Sequence, residues 1–246
     1  MAKYIFILLI AYSPRIVLSQ INLVDRDVLQ RVFEIKYGTG VGTCFLLSVD
    51  SIDYLITSRH IFGGSPIHKS KVEFELLKEK KWIKFPATLM LNVNSNIDIA
   101  VLSLGTNEAK GNGFDIGGLG YYLSQDCYFL GFPYGLHPNN DINPNAGFPL
   151  PMIKKGIISS WTHENPDGLI IFLDGNNNPG FSGGPVVIFN PVGQTHHSRI
   201  IAVVTAYVND PEKTIKTPIG DFLTNENTGI VISYHISHAI DIINRK

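Results

Sequence analysis

With 246 residues, 44% of them hydrophobic and 17% charged, the chain has the length and apolar content of one well-buried domain or two small ones, which excludes an intrinsically disordered protein. Lys and Arg number 20 against 21 Asp and Glu, a formal net charge of −1, so no global field draws it to nucleic acid or to an anionic membrane. Lys3, the apolar residues 4–12, Ser13-Pro14 and Val17-Leu18-Ser19 read as a secretory signal at 1–19, too short to span a bilayer and cut after Ser19. That reading places the protein in a secreted or periplasmic compartment, with no membrane association after cleavage. An uncleaved anchor or a buried first strand is the alternative.

Residues 21–29 carry Asp25, Arg26 and Asp27 and form a short helix or strap. Short β runs bounded by turn residues then recur at 31–37, 41–48, 53–58, 72–78, 82–90 and 98–104, enough to close one barrel. Lys69, Lys71, Lys78, Lys80, Lys81 and Lys84 cluster here, but Glu73, Glu75 and Glu79 alternate with them. Mixed signs cancel the long-range field and predict a solvated hairpin. The Gly-rich and polar stretch 105–126 changes character and is the expected connection between two halves. β runs resume at 127–132, 152–161, 169–173, 185–189, 199–207 and 229–234, interrupted by a long Pro/Asn/Gly-dense loop at 133–151. Ile236, Ala239, Ile240 and Ile243 fall on one helical face, so a terminal helix packed on the second barrel closes the chain.

The residues 175–185, Gly-Asn-Asn-Asn-Pro-Gly-Phe-Ser-Gly-Gly-Pro, bring together what acyl transfer by a serine needs. A hydroxyl such as that of Ser182 is a weak nucleophile at neutral pH and requires a base, and the tetrahedral intermediate requires preorganised donors for its oxyanion. Gly180 can take backbone angles that aim its N–H and that of Ser182 at one point. Residues 54–60 form an apolar β run ending on His60, and Asp98 stands at the mouth of the apolar run 97–102. A base and the acid that orients it thus both sit at strand ends, where a triad assembled by folding would place them.

At these motifs the chain resembles the trypsin-like, chymotrypsin-fold serine peptidases, and the small bacterial branch that includes the high-temperature-requirement proteases in particular. The order His60, Asp98, Ser182, with separations of 38 and 84 residues, matches. So do Asp98-Ile99-Ala100-Val101-Leu102, Phe129-Leu130-Gly131-Phe132-Pro133-Tyr134-Gly135 and Gly180-Phe181-Ser182-Gly183-Gly184-Pro185. The resemblance spans about residues 32–243. It implies an all-β fold of two six-stranded antiparallel β-barrels packed together with a short C-terminal helix. The first barrel (20–110) carries His60 and Asp98, 111–126 connects, and the second (127–246) carries Ser182. Two departures stand out. Ser58-Arg59 precede His60 where the family has small residues, and Phe181 occupies the place of the aspartate that captures a freed N-terminus in trypsin's closest kin. No length remains for the appended peptide-binding module of the high-temperature-requirement proteases.

The resemblance further implies a serine endopeptidase with catalytic His60, Asp98 and Ser182 and oxyanion donors at Gly180 and Ser182. Its primary pocket would be walled by Asn176 and Asn177, by Thr205, Ala206 and Tyr207, and by Gly229 and Val231. No aspartate lies among them, so a modest, mostly apolar pocket is expected. Thr205, Ala206 and Tyr207 would pair with an extended peptide or protein substrate by strand addition. The even count of Cys44 and Cys127 invites a disulfide, whereas the resemblance implies two buried free thiols, each lacking its family partner. Neither His196-His197 nor His235 with His238 shows metal-ligand spacing, no phosphate-cradling Gly motif precedes a helix, and no cofactor is expected. A catalytically silent peptide- or protein-binding domain that keeps the fold is the rival reading.

Overall fold

The computed structural model describes residues 23–50, 52–64, 66–105, 115–116, 120–136, 145–162, 168–189, 198–210, 213–217, 220–224 and 226–245. The expected leader at 1–19, parts of the expected connection at 111–126 and the His196-His197 pair lie outside them. Helix α1 (Arg26–Leu29) leads into β1 (Val32–Tyr37), β2 (Gly40–Val49), β3 (Ile52–Thr57), β4 (Ser70–Lys78), β5 (Lys81–Leu91) and β6 (Ala100–Ser103). These close an antiparallel barrel in the order β1-β2-β3-β6-β5-β4. After β7 (Asp115–Ile116) come β8 (Asp126–Gly131), β9 (Met152–Trp161), β10 (Ile170–Asp174), β11 (Pro185–Phe189) and β12 (Ser198–Asn209). A hairpin, β13 (Lys213–Thr217) and β14 (Gly220–Thr224), precedes β15 (Asn227–His235) and helix α2 (Ser237–Asn244). The second barrel runs β11-β8-β9-β10-β15-β12 and closes through the β11–β12 pairing, with β7 added in parallel on β12.

The strands that read as unbroken apolar runs do so because both their faces are buried. In β3, Leu55 points into the first barrel while Tyr54 and Ile56 pack at the seam between barrels. In β8, Cys127 and Phe129 fill the second barrel while Leu130 faces the seam. In β11, Val186 and Ile188 point inward and Val187 outward to that seam. Among the described residues three apolar bodies result, one per barrel and one between them, and the middle one fixes how the two halves face each other. Cys44 and Cys127 are free and lie in different barrel interiors. Burial pushes the Cys44 thiol up and that of Cys127 to about 12, so neither is a reactive nucleophile.

Three expectations need correction. The sixth strand starts at Ala100 rather than Asp98, because the Asp98 side chain and carbonyl are turned to the Arg59-His60 backbone instead of a ladder. Helix α2 packs against β5 and β6 of the first barrel, and Ile236, Ala239, Ile242 and Ile243 join the seam, so it straps the barrels together. The β13–β14 hairpin was not anticipated. The mixed-charge hairpin is as expected, β4 against β5, with Lys84 Nζ 2.7 Å from Glu73 and Lys36 Nζ 3.2 Å from Glu75.

One buried carboxyl has no counterpart in the sequence reading. Glu34 on β1 is 2% exposed, opposite Thr43 on β2, and its Oε2 has no hydrogen-bond partner among the described residues. Burial pushes its pKa from 4.5 to about 7. The folded state therefore resists ionisation that the unfolded chain undergoes freely. This cost is absent below pH 4.5, grows as pH rises through the window, and is complete above about pH 7. Glu34→Gln is accordingly expected to stabilise the protein by about 1–3 kcal/mol at pH 8 and hardly at all at pH 4, read from denaturant midpoints at the two pH values. Equal effects at both would contradict the assignment.

Candidate active site

His60 lies in the 3₁₀ turn Arg59–Phe62 at the end of β3. The Asp98 carboxylate holds it by two atoms: Oδ1 accepts the His60 backbone N–H at 2.8 Å and Oδ2 meets Nδ1 at 2.6 Å. In a neutral imidazole the Nδ1 proton then faces the carboxylate and leaves the Nε2 lone pair free. Asp98 is itself set by its surroundings. Ile97 and Ile99 anchor it in the seam, the Arg59 N–H reaches its carbonyl at 3.4 Å, and Tyr234 Oη donates to the Asn96 carbonyl at 2.8 Å. The unusual Ser58 is fully buried, donating to the Val204 carbonyl of the other barrel at 3.1 Å. Arg59, His60, Gly63, Gly64, Pro66, Ser95 and Asp98 line a cleft of about 460 Å³.

Ser182 follows the turn Asn178–Phe181, closed by the Phe181 N–H to the Asn178 carbonyl at 3.2 Å. Pro179 and Gly180 occupy its centre, and Gly180 has φ +105°, the positive angle a type II turn demands of its third residue. The Pro179 carbonyl accepts the Tyr134 N–H at 2.8 Å. Because C=O and N–H of one planar peptide point in opposite directions, this aims the Gly180 N–H away from Tyr134. The N–H groups of Gly180 and Ser182 have no acceptor among the described residues. Gly183 must be glycine: its φ is +88°, and a Cβ there would lie 1.9 Å from the Thr43 carbonyl oxygen and 2.3 Å from Thr57 Oγ1. That crowding places the serine turn directly against the strand end that carries His60. Ser182 Oγ donates to the Thr205 carbonyl at 3.1 Å.

The pocket residues are only partly assembled as anticipated. Asn177 is buried and its Nδ2 spans to the Ala206 carbonyl at 3.2 Å, joining two of the expected walls. Asn227 Nδ2 donates to the Asn177 carbonyl. Asn176 and Ala206 are exposed, Tyr207 is half-buried, and Thr205 is buried with Oγ1 on the Ile232 carbonyl at 3.3 Å. Gly229 stays near the surface, its carbonyl accepting the Gly175 N–H at 2.8 Å. Val231, by contrast, is fully buried in the core of the second barrel, since it alternates with its exposed neighbour Ile230. His235 and His238 are structural: their Nδ1 and Nε2 accept the Ser237 and Leu169 N–H groups at 3.2 and 2.9 Å, and burial pushes both below the ordinary imidazole range.

A trypsin-like peptidase domain model matches residues 42–190. The chain belongs to the trypsin-like peptidase family. Among solved structures it is similar to the Rv3671c protease from M. tuberculosis H37Rv, at 14% identity and a TM-score of 0.52, covering 89% of this chain and 87% of that one. It is also similar to AlgW, an HtrA-type protease, at 20% identity and a TM-score of 0.55, covering 88% of this chain and 60% of that one. These likenesses show the shared double-barrel fold. No curated protein matches.

Sequence reasoning missed Thr43, fully buried on β2. Its N–H donates to the Ser182 carbonyl at 2.8 Å, its Oγ1 donates to the Gly180 carbonyl at 2.6 Å and accepts the Phe132 N–H at 3.2 Å, and its carbonyl accepts Thr57 Oγ1 at 2.7 Å. One residue of the first barrel thus grips both residues that flank Phe181. Thr43→Val keeps the shape and strands two buried groups, so a loss of about 2–4 kcal/mol is expected from the denaturant midpoint at unchanged slope. A loss below about 0.5 kcal/mol would contradict the clamp.

Proposed function

We propose that this family member is a serine endopeptidase working through Ser182, His60 and Asp98. The observation that carries the reading is the double grip of Asp98 on His60 beside the Gly180–Ser182 turn. Rotation about χ1 takes Ser182 Oγ off the Thr205 carbonyl and towards the imidazole. The hydroxyl then attacks the scissile carbonyl carbon as its proton passes to His60 Nε2. Asp98 balances the imidazolium charge, and the Gly180 and Ser182 N–H groups receive the oxyanion. Collapse breaks the C–N bond, His60 returns the proton to the leaving amine, and water hydrolyses the acyl-enzyme by the same route.

Specificity follows from the walls. Asn176, Asn177, Thr205, Ala206, Tyr207 and Gly229 include no carboxylate, and the Asn177 amide ties directly to the Ala206 carbonyl, so such walls would suit small or medium uncharged side chains. A peptide library is expected to be cut mainly after such residues, and cleavage mainly after Arg or Glu would refute the pocket assignment. The tests of the mechanism are direct. A fluorophosphonate is expected to label wild type at Ser182 and leave Ser182→Ala unlabelled, while Asp98→Asn lowers kcat by about four orders of magnitude with the fold intact. A folded wild type that takes no label points instead to a silent binding domain on the same scaffold.

A further inference from the structure

The oxyanion donor on Gly180 depends on which way the Pro179–Gly180 peptide faces. A glycine third in a turn moves between positive and negative φ at little cost, and reversal of the Pro179–Gly180 peptide would carry the Gly180 N–H out of the site. Whatever holds the neighbouring atoms decides between the two. On one side stands Thr43. On the other is a cation that the mechanism above does not use: Lys154, third residue of β9.

Lys154 Nζ donates to the Asn176 carbonyl and to Asn178 Oδ1, both at 2.5 Å, and lies 5.4 Å from the centroid of the Phe181 ring. The amide of Asn178 continues outward through Nδ2 to Tyr134 Oη at 3.4 Å. Tyr134 in turn gives its N–H to the Pro179 carbonyl at 2.8 Å and holds an unusual φ of +54°. The chain of contacts therefore begins at an ammonium on the outer end of β9 and ends at the peptide whose orientation aims Gly180. Among the described residues no acid partners this cation. The acceptors are a main-chain carbonyl and a neutral amide, and Phe181 contributes only a ring face. Partial burial pushes the Lys154 ammonium below its ordinary range, the mark of a charge drawn towards protein rather than left in water. Lys155 beside it behaves otherwise, pairing with Asp126 at 2.8 Å on the surface.

We propose that Lys154 is a positioning residue: its ammonium, tied to Asn176 and Asn178, locks segment 176–180 in the conformer that presents the Gly180 N–H beside Ser182. This rests on the serine-peptidase reading. It makes the oxyanion site self-sufficient, because the locking charge lies within the chain and no new N-terminus has to be captured by the residue before the serine.

The test compares Lys154→Met, Lys154→Arg and Lys155→Met in the full chain, by the rate of fluorophosphonate labelling and by kcat and KM on one library-derived peptide. Lys154→Met is expected to slow labelling and lower kcat by about 10- to 100-fold, with KM within about threefold of wild type. Lys154→Arg, which keeps the charge and donors, is expected to recover most of that loss, and Lys155→Met to match wild type. Asn178→Leu removes the amide that links Lys154 to Tyr134 while leaving the Asn176 tie, so it should cause the same kind of loss, and the double variant should lose less than the sum of the two. It also stands in should Lys154→Met fail to fold. Wild-type labelling by Lys154→Met, a rise in KM alone, an Arg variant as slow as the Met variant, or additive losses in the double variant would each overturn the proposal. If wild type itself takes no label, the peptidase reading falls first and this one with it.

Discussion

The structure depends on one constraint: two barrels, each with its own apolar interior, must meet so that a strand of one can grip a turn of the other. Thr43 is where that happens. A fully buried hydroxyl that both donates and accepts is costly to leave unpaired, so the fit of the barrels and the shape of the Gly180–Ser182 turn are one problem with one solution. The seam of Val32, Ile56, Ile99, Leu130, Val187 and Ile236 supplies the non-directional attraction. Thr43, Ser58 and Tyr234 supply registry, each by a hydrogen bond to a main-chain carbonyl across the seam.

The same logic governs the ionisable groups. Asp98 accepts two hydrogen bonds from His60 and so fixes position and tautomer together. Glu34, a few strands away on the same interface, shows what a buried carboxyl costs when its Oε2 finds no donor among the described residues. Lys154 lies between these extremes: part of it is wet, and two of its three ammonium donors meet neutral acceptors of the segment it steadies. Rigidity at the site thus comes from main-chain carbonyls that are occupied from outside, leaving the N–H groups of Gly180 and Ser182 as the available donors.

Much of this was legible in the sequence because burial on both faces writes long apolar runs. The runs around Leu55, Phe129 and Val187 marked strands, and His60, Asp98 and Ser182 stood out at their ends. Where local chemistry departs from that rule the reading fails. The hairpin 213–224 carries Lys-Thr-Ile-Lys-Thr on its first strand, with too little apolar alternation to be seen. Val231 was expected in a pocket wall together with Gly229, but strand alternation turns it into the core. Thr43 and Lys154 left no trace at all, since their roles arise from contacts with residues 137 and 22 positions away in sequence. Glu34 was hidden for a different reason: in an alternating strand it reads as the exposed face, but it shares that face with Val32, which lies in the seam.

The most direct test of the central claim is a crystal structure of the phosphonylated protein. The account predicts phosphorus bonded to Ser182 Oγ, with one phosphoryl oxygen about 3 Å from the N–H groups of both Gly180 and Ser182 and His60 still held by Asp98. An adduct on another residue, or a Pro179–Gly180 peptide reversed so that Gly180 points away from that oxygen, would contradict it.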